Sequence, residues 1–206
     1  FMRILAIGDV VGNIGCRFLR QRLPALKKLK GVDLVIANGE NSADGNGVTP
    51  ISADFLFSSG VDVITTGNHS FRRREIYPYY DDAPYILRPA NFPEKTTPGN
   101  GTLIYDMGRV QVCVINLMGC VFLENLKDPY ETIDEILKKN TAKITILDFH
   151  AEATAEKLAM GYYLDGRISA MFGTHTHVQT ADECIFENGM GSVSYTHLRA
   201  HETELH

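Results

Sequence analysis

Short apolar runs alternate with segments of helical periodicity through the first third of the chain. Each run has the length of a buried strand, and apolar residues recur every three or four positions between the runs. Thr49 followed by Pro50 is typical of a helix start, whereas Pro24 predicts a kink or a restart in the first helix. Strands and helices joined by short turns favour right-handed crossovers and a mainly parallel sheet. The predicted strands are residues 3–7, 33–37 and 61–65, and the predicted helices are residues 16–29 and 49–60.

The pattern changes in the middle of the chain. Two apolar runs flank the short segment 107–109, which is typical of a hairpin turn and brings an antiparallel pair into the sheet. Asp128, Pro129 and Glu131 have the spacing of a capping box at a helix start. The sequence therefore predicts an α/β protein with a mixed β-sheet core flanked by helices. The strands predicted here are residues 101–106, 110–117, 144–149 and 168–172, and the helices are residues 128–139 and 153–162.

Composition restricts the class of protein. The 206 residues are 44% hydrophobic and 22% charged, with a formal net charge of −5. These values argue against a disordered chain and against a general binder of nucleic acid or anionic membranes. A small phosphorylated ligand remains compatible, because a metal ion supplies local positive charge. Four cysteines without a C-x-x-C pair, together with the lack of a signal peptide or a membrane-spanning run, predict a cytoplasmic protein.

Polar residues of the metal-binding type follow directly after five of the predicted strands. Parallel strands bring their carboxyl ends to one edge of a sheet, where open α/β folds bind ligands. Of the seven histidines, four lie at this edge and three lie in the last ten residues. A single residue of this kind is more often structural, since Asp9 alone fits a helix N-cap and Asn41 or Asn68 alone fits a turn. The residues at the edge are Asp9, Glu40, Asn41, Asn68, His69, His150, His175 and His177.

This combination indicates a pair of metal ions. Carboxylate, amide oxygen and imidazole groups suit Fe, Mn or Zn better than Ca or Mg. Eight candidate groups exceed the four or so that one zinc-like ion binds, so two ions with a shared ligand are the simplest interpretation. A dinucleotide site is an alternative, because residues 8–15 are glycine-rich and Glu40 follows the second strand. The G-x-G-x-x-G spacing is absent, however, and such a site leaves the later histidines unexplained.

Several stretches resemble the signatures of the calcineurin-like metallophosphoesterases. Gly67-Asn68-His69 and residues 173–177 are similar to the GNH and GHxH motifs of that superfamily. From residue 2 to about residue 191 the chain resembles its bacterial branch of phosphodiesterases active on 2′,3′-cyclic nucleotides. Two departures from the wider superfamily are typical of this branch: no histidine follows Asp9 at the second position, and Glu40 replaces the usual bridging Asp. The stretches similar to the branch are residues 7–12, 38–41, 88–93, 148–154 and 174–182.

The resemblance implies a layered metallophosphoesterase fold and a dinuclear phosphodiesterase. It implies attack of a metal-bridging hydroxide on a small phosphodiester, with 2′,3′-cyclic and also 3′,5′-cyclic nucleotides as expected substrates and His69 as the proton donor. Iron or manganese is expected, and the ligand set also accommodates zinc. A metal-binding regulatory protein with incidental hydrolysis is the alternative, although a pure binding site has no use for a proton donor. One metal is expected to be bound by Asp9, Glu40, Asn41 and His177, and the other by Glu40, Asn68, His150 and His175.

The end of the chain does not fit this pattern. Residues 192–206 lack a core-forming pattern and resemble translated sequencing-adapter read-through, whereas the family continues with further strands. We therefore expect a metallophosphoesterase domain over residues 2–191 that lacks its C-terminal strands, followed by a non-native tail over residues 192–206. No extended nucleic-acid partner and no membrane partner is expected, and homo-oligomerisation stays open.

Overall fold

The computed structural model describes residues 2–195 and the backbone of residues 197–198. Within this part of the chain, the helices are α1 (Gly12–Lys30), α2 (Pro50–Ser58), α3 (Ile76–Asp82), α4 (Pro129–Lys139) and α5 (Thr154–Leu164). The strands are β1 (Ile4–Ile7), β2 (Asp9–Val10), β3 (Leu34–Asn38), β4 (Val63–Thr65), β5 (Thr102–Asp106), β6 (Gln111–Met118), β7 (Ile144–His150), β8 (Ala170–Thr174), β9 (Cys184–Ile185), β10 (Gly191–Val193) and β11 (His197–Leu198). None of the described helices combines the length and apolarity needed to cross a membrane.

The strands form two main sheets and one short pair. The smaller sheet is parallel, in the order β1–β3–β4. The larger sheet has the order β5–β6–β7–β8–β10–β9, with four parallel strands in its centre and an antiparallel strand at each edge. β2 and β11 form a parallel pair. In the larger sheet His150 lies in register with both Met118 and Thr174, so β6, β7 and β8 end at the same edge.

The two sheets pack face to face, and helices cover the outer face of each. The core between the sheets includes Leu34 and Ile36 of β3 together with Val112 and Val114 of β6. On the outer faces, α1 and α2 cover the smaller sheet, and α4 and α5 cover the larger one. Successive residues of a strand face opposite sides of its sheet, so strands buried on both faces are apolar throughout. This explains the unbroken apolar runs that predict the strands.

The seven predicted strands correspond to β1 and β3–β8 in the predicted order, including the hairpin of β5 and β6. The two-residue strand β2 was not predicted. α1 begins at Gly12 rather than at residue 16. The sequence does not reveal this start, because the N-cap residue is Val11, whose side chain makes no capping hydrogen bond. α1 is one helix that contains Pro24, so the chain does not restart there. The sequence patterns miss α3, since seven residues are too few to establish a helical period.

The predicted tail begins within β10. This strand pairs in parallel with β8 and antiparallel with β9. After it, the side chain of Tyr195 is buried, and the backbone of residues 197–198 pairs with β2. Residue 196 and residues 199–206 lie outside the described residues. The division of the chain after residue 191, and the loss of C-terminal strands, stay predictions.

Candidate metal centre

The strand ends bring all seven predicted ligands together at one edge of the two sheets. Asp9 is the first residue of β2, Glu40 and Asn41 lie in the turn after β3, and Asn68 lies in the loop after β4. His150 is the last residue of β7, and His175 and His177 follow β8. Each of these side chains lies within 3.7 Å of at least one other. They are Asp9, Glu40, Asn41, Asn68, His150, His175 and His177.

Four of them, Glu40, Asn68, His150 and His175, form a tight cluster that we call the His150 group. Nε2 of His150 lies 2.9 Å from Oδ1 of Asn68 and 3.3 Å from Oε1 of Glu40. The same nitrogen lies 3.1 Å from Nδ1 of His175. Atoms bound at about 2.1 Å to one ion lie roughly 3.0–3.4 Å apart in octahedral or tetrahedral geometry. The three distances from Nε2 of His150 are near this range, and ligand atoms of Glu40, His150 and His175 all lie within 4.8 Å of one another, so these side chains are close enough to share an ion.

The other three, Asp9, Asn41 and His177, form the His177 group, which leaves one carboxylate oxygen unpaired. Asp9 is fully buried, and its Oδ1 has no hydrogen-bond partner among the described residues. This oxygen lies 3.7 Å from Nε2 of His177. Oδ2 of Asp9 accepts hydrogen bonds from the backbone N–H of His175 and from the Tyr195 hydroxyl. Because an unpaired buried carboxylate oxygen is unfavourable, the residues present fit a cation bound at Oδ1.

Asn41 links both groups to the predicted proton donor. Its Nδ2 lies 3.3 Å from Oε1 of Glu40 and 3.4 Å from Nε2 of His177. Its Oδ1 lies 2.7 Å from Nδ1 of His69. An amide binds a cation through its oxygen, so Asn41 would have to reverse its side-chain amide to act as a ligand. In the orientation observed here, Asn41 is a hydrogen-bond partner of His69.

The backbone at this edge is tightly constrained. A Cβ atom on Gly67 would lie 2.2 Å from Cδ2 of His150, which explains the glycine of the Gly67-Asn68-His69 motif. His175 and His177 have positive φ angles of 99° and 54°. Residues other than glycine seldom adopt this backbone conformation, and backbone strain of this kind is concentrated at functional sites.

Glu40 and His150 stabilise each other in their charged forms. Burial alone would raise the pKa of the Glu40 carboxyl, but His150 and the backbone N–H of His69 lower this pKa to about 2. Burial alone would lower the pKa of His150, but Glu40 raises it to about 9. Burial and the neighbouring His150 lower the pKa of His175. At neutral pH the site without metal therefore holds a proton on His150 that a metal ion has to displace.

The sequence patterns miss one further residue of the site, Glu152. Its Oε2 lies 2.8 Å from Nε2 of His175, so the other ring nitrogen, Nδ1, faces the His150 group. A carboxylate behind a metal-binding histidine orients the ring and raises its basicity. The signals in the sequence are its position, two residues beyond the end of β7, and its place within the family-like stretch 148–154.

The layered fold is of the metallophosphoesterase type, as the sequence predicts. More narrowly, the chain belongs to the family described as YmdB-like protein, whose model matches residues 5–196. The resemblance drawn from the motifs is thus confirmed.

Known proteins are similar over nearly the whole chain. The chain is 47% identical to the 2′,3′-cyclic-nucleotide 2′-phosphodiesterase of Bacillus subtilis strain 168 over 196 residues, which are 94% of this chain and 74% of that protein. A hypothetical protein from Thermus thermophilus superposes with a TM-score of 0.90 at 38% identity, covering 95% of this chain and 76% of that one. A novel phosphatase from Mycoplasma pneumoniae superposes with the same TM-score at 30% identity, covering 95% of this chain and 72% of that one.

Proposed function

We propose that this chain is a two-metal phosphodiesterase that hydrolyses 2′,3′-cyclic nucleotides. The observation that carries the proposal is the assembly of seven metal-binding side chains at one sheet edge, with a buried oxygen of Asp9 left unpaired. The similarity to the Bacillus subtilis phosphodiesterase supports both the reaction, phosphoric diester hydrolysis, and the substrate class.

The two groups of side chains divide the metals between them. Glu40 contacts both groups, through His150 at 3.3 Å and through Asn41 at 3.3 Å, and it is therefore the side chain suited to bridge two ions. Asp9 and His177, together with Asn41 after reversal of its side-chain amide, would complete one site, and Asn68, His150 and His175 the other. Two bound cations would activate water for attack and offset charge on the phosphoryl oxygens. Iron or manganese is the proposed metal, in keeping with the oxygen and imidazole donors.

In this proposal His69 protonates the ribose oxygen that leaves. Its Nδ1 donates to Oδ1 of Asn41 at 2.7 Å, and its backbone N–H donates to Oε2 of Glu40 at 2.9 Å. If Asn41 reverses its side-chain amide to bind a metal, its Nδ2 would donate to Nδ1 of His69, and the neutral ring would then carry its proton on Nε2, available to the leaving oxygen. The His69 side chain is 26% exposed. An alkoxide leaves poorly unless it is protonated, and a positioned general acid contributes about 10²–10⁴-fold in rate.

Turnover of a defined substrate panel tests this function. The chain, loaded with Mn²⁺ or Fe²⁺, would be assayed against 2′,3′-cyclic AMP, 3′,5′-cyclic AMP and p-nitrophenyl phosphate, with a chelator-treated sample as the control. We expect two metal equivalents per chain and fastest turnover of 2′,3′-cyclic AMP, with slower hydrolysis of the 3′,5′-cyclic isomer. A single metal equivalent, or turnover that survives chelation, would contradict the two-metal proposal. Preference for the phosphomonoester would contradict the substrate class.

A further inference from the structure

A second polar network lies directly behind His150. Asp148, two residues earlier in β7, is fully buried between the two sheets. Its Oδ2 accepts hydrogen bonds from the Thr65 hydroxyl and from Nδ2 of Asn38, the latter at 3.1 Å. Its Oδ1 accepts a hydrogen bond from the Thr174 hydroxyl at 2.7 Å. Neutral donors on β3, β4 and β8 thus converge on a carboxylate that is not one of the predicted metal ligands.

The direction of these hydrogen bonds locates a proton on the ring of His150. A hydroxyl has a single hydrogen, and Thr174 donates it to Asp148, because a carboxylate can only accept. Oγ1 of Thr174 also lies 2.8 Å from Nδ1 of His150. Thr174 has no second hydrogen to donate, so Nδ1 of His150 has to be the donor in this contact. The lone pair available for a metal is therefore on Nε2, the nitrogen that faces Asn68.

We propose that Asp148 and Thr174 are positioning residues that keep the proton of His150 on Nδ1 and so leave Nε2 free to bind a metal. The inference rests on the proposed two-metal function, since it assigns these residues a role toward one of its ligands. The parallel register of β7 and β8 supports it, because that register sets Thr174 directly beside His150. Hydrogen bonds behind a metal-binding histidine select its tautomer and fix the orientation of its ring.

Asp148→Asn is the sharpest variant, because it is expected to reverse the chain of hydrogen bonds. Two donors, Thr65 and Asn38, face one oxygen of Asp148, whereas Thr174 alone faces the other. The new amide satisfies more partners if its oxygen faces the two donors and its NH₂ faces Thr174. The Thr174 hydroxyl would then donate to Nδ1 of His150 and place the ring proton on Nε2. We expect the affinity for Mn²⁺ to fall by about 10–100-fold, the usual effect of losing such a partner.

Thr174→Val removes the hydroxyl with little change in shape, and Thr174→Ser restores it. We expect a loss in Mn²⁺ affinity of about 10–100-fold for the valine variant and recovery to within about threefold of wild type for the serine variant. The matched control is Thr145→Val, because Thr145 is also buried, in the same strand as His150, and accepts a hydrogen bond from Nδ2 of Asn140 away from the site. Its Mn²⁺ affinity should match wild type.

Ring ¹H–¹⁵N spectra of the 206-residue chain provide a readout that does not depend on activity. The spectra are recorded on the metal-free chain above pH 9, where the His150 ring is neutral and carries a single proton. In wild type and in Thr174→Ser, this proton should lie on Nδ1 and be protected from solvent exchange. In Thr174→Val it should move to Nε2, which faces Oδ1 of Asn68, while circular dichroism verifies that each variant is folded. A protected Nδ1–H in Thr174→Val, or unchanged affinity in both Thr174→Val and Asp148→Asn, would overturn the inference. Failure of wild type to bind metal would instead overturn the proposed function, because the ring proton is observed without metal.

Discussion

The His150 group and the His177 group, the two halves of the candidate metal centre, differ in burial and in how fully their side chains are hydrogen-bonded. In the His150 group, the central imidazole is fully buried and its Nε2 lies within 3.3 Å of three other predicted ligands. In the His177 group, the imidazole side chain is 33% exposed and lies 3.7 Å from a carboxylate oxygen that has no hydrogen-bond partner among the described residues. The side chains of the His150 group are already held by hydrogen bonds. In the His177 group, Oδ1 of Asp9 would gain a partner only when a cation binds. We therefore expect the His150 group to bind its metal more tightly.

Glu40→Ala should have the largest effect, because Glu40 contacts both His150 and Asn41 and is the side chain proposed to bridge the two ions. We expect the metal content to fall from two equivalents to fewer than about 0.2, and hydrolysis to fall with it. Elemental analysis after dialysis measures this directly. Glu135→Ala is a suitable control, since Glu135 lies on α4 and pairs with Lys127 at the surface. Retention of one full equivalent in Glu40→Ala would show that the halves bind metal independently.

His177→Ala should remove the metal of the His177 group without removing the metal of the His150 group. Among the predicted ligands, the His177 side chain contacts Asp9 and Asn41 of its own group. One metal should therefore be lost while the metal of the His150 group stays bound. Titration of the metal-free variant with Mn²⁺ should show one tight site, where wild type shows two. Loss of both metals would mean that the His177 group supports the His150 group, contrary to the comparison above.

His69→Ala should leave two metals in place and lower kcat by about 10²–10⁴-fold, the contribution of a positioned general acid. The deficit should shrink for a substrate with a nitrophenolate leaving group, which needs little protonation. Comparison of kcat for a cyclic nucleotide and for bis(p-nitrophenyl) phosphate measures the difference. Equal deficits for the two substrates would assign His69 to substrate orientation instead.

The pH dependence of metal binding should give the smallest effect. Glu40 raises the pKa of His150 to about 9, so below that pH a metal has to displace the proton from Nε2. Affinity at the tighter site should therefore rise with pH, by about tenfold per unit between pH 7 and 8.5, and level off above the pKa of His150. Competition with a chelator of known pH dependence measures the slope. A flat profile would mean that His150 is already neutral at pH 7.

Chain position was sufficient to predict which residues lie together at the sheet edge, but not how their atoms are oriented. His150 and Asn68 follow apolar runs, and parallel strands end together, so their meeting could be expected. The amide orientation of Asn41 could not be, because it depends on whether His69 or an ion takes the oxygen. Glu152 lies within the family-like stretch 148–154, but its contact with His175 at 2.8 Å joins separate segments and could not be read from that stretch.

The sequence by itself determined the layers and the chemical types at the strand ends. A period of two assigns residues to the faces of a sheet, and carboxylate, amide and imidazole groups after the strands define the donor set. Only the tertiary structure decided which oxygen of Asp9 has no hydrogen-bond partner among the described residues and which nitrogen of His150 faces Thr174. Both depend on contacts between distant segments, such as Thr65 with Asp148 and His175 with Asp9. A hydrogen-bond donor can be assigned only when all of its neighbours are known, and those neighbours come from strands far apart in the chain.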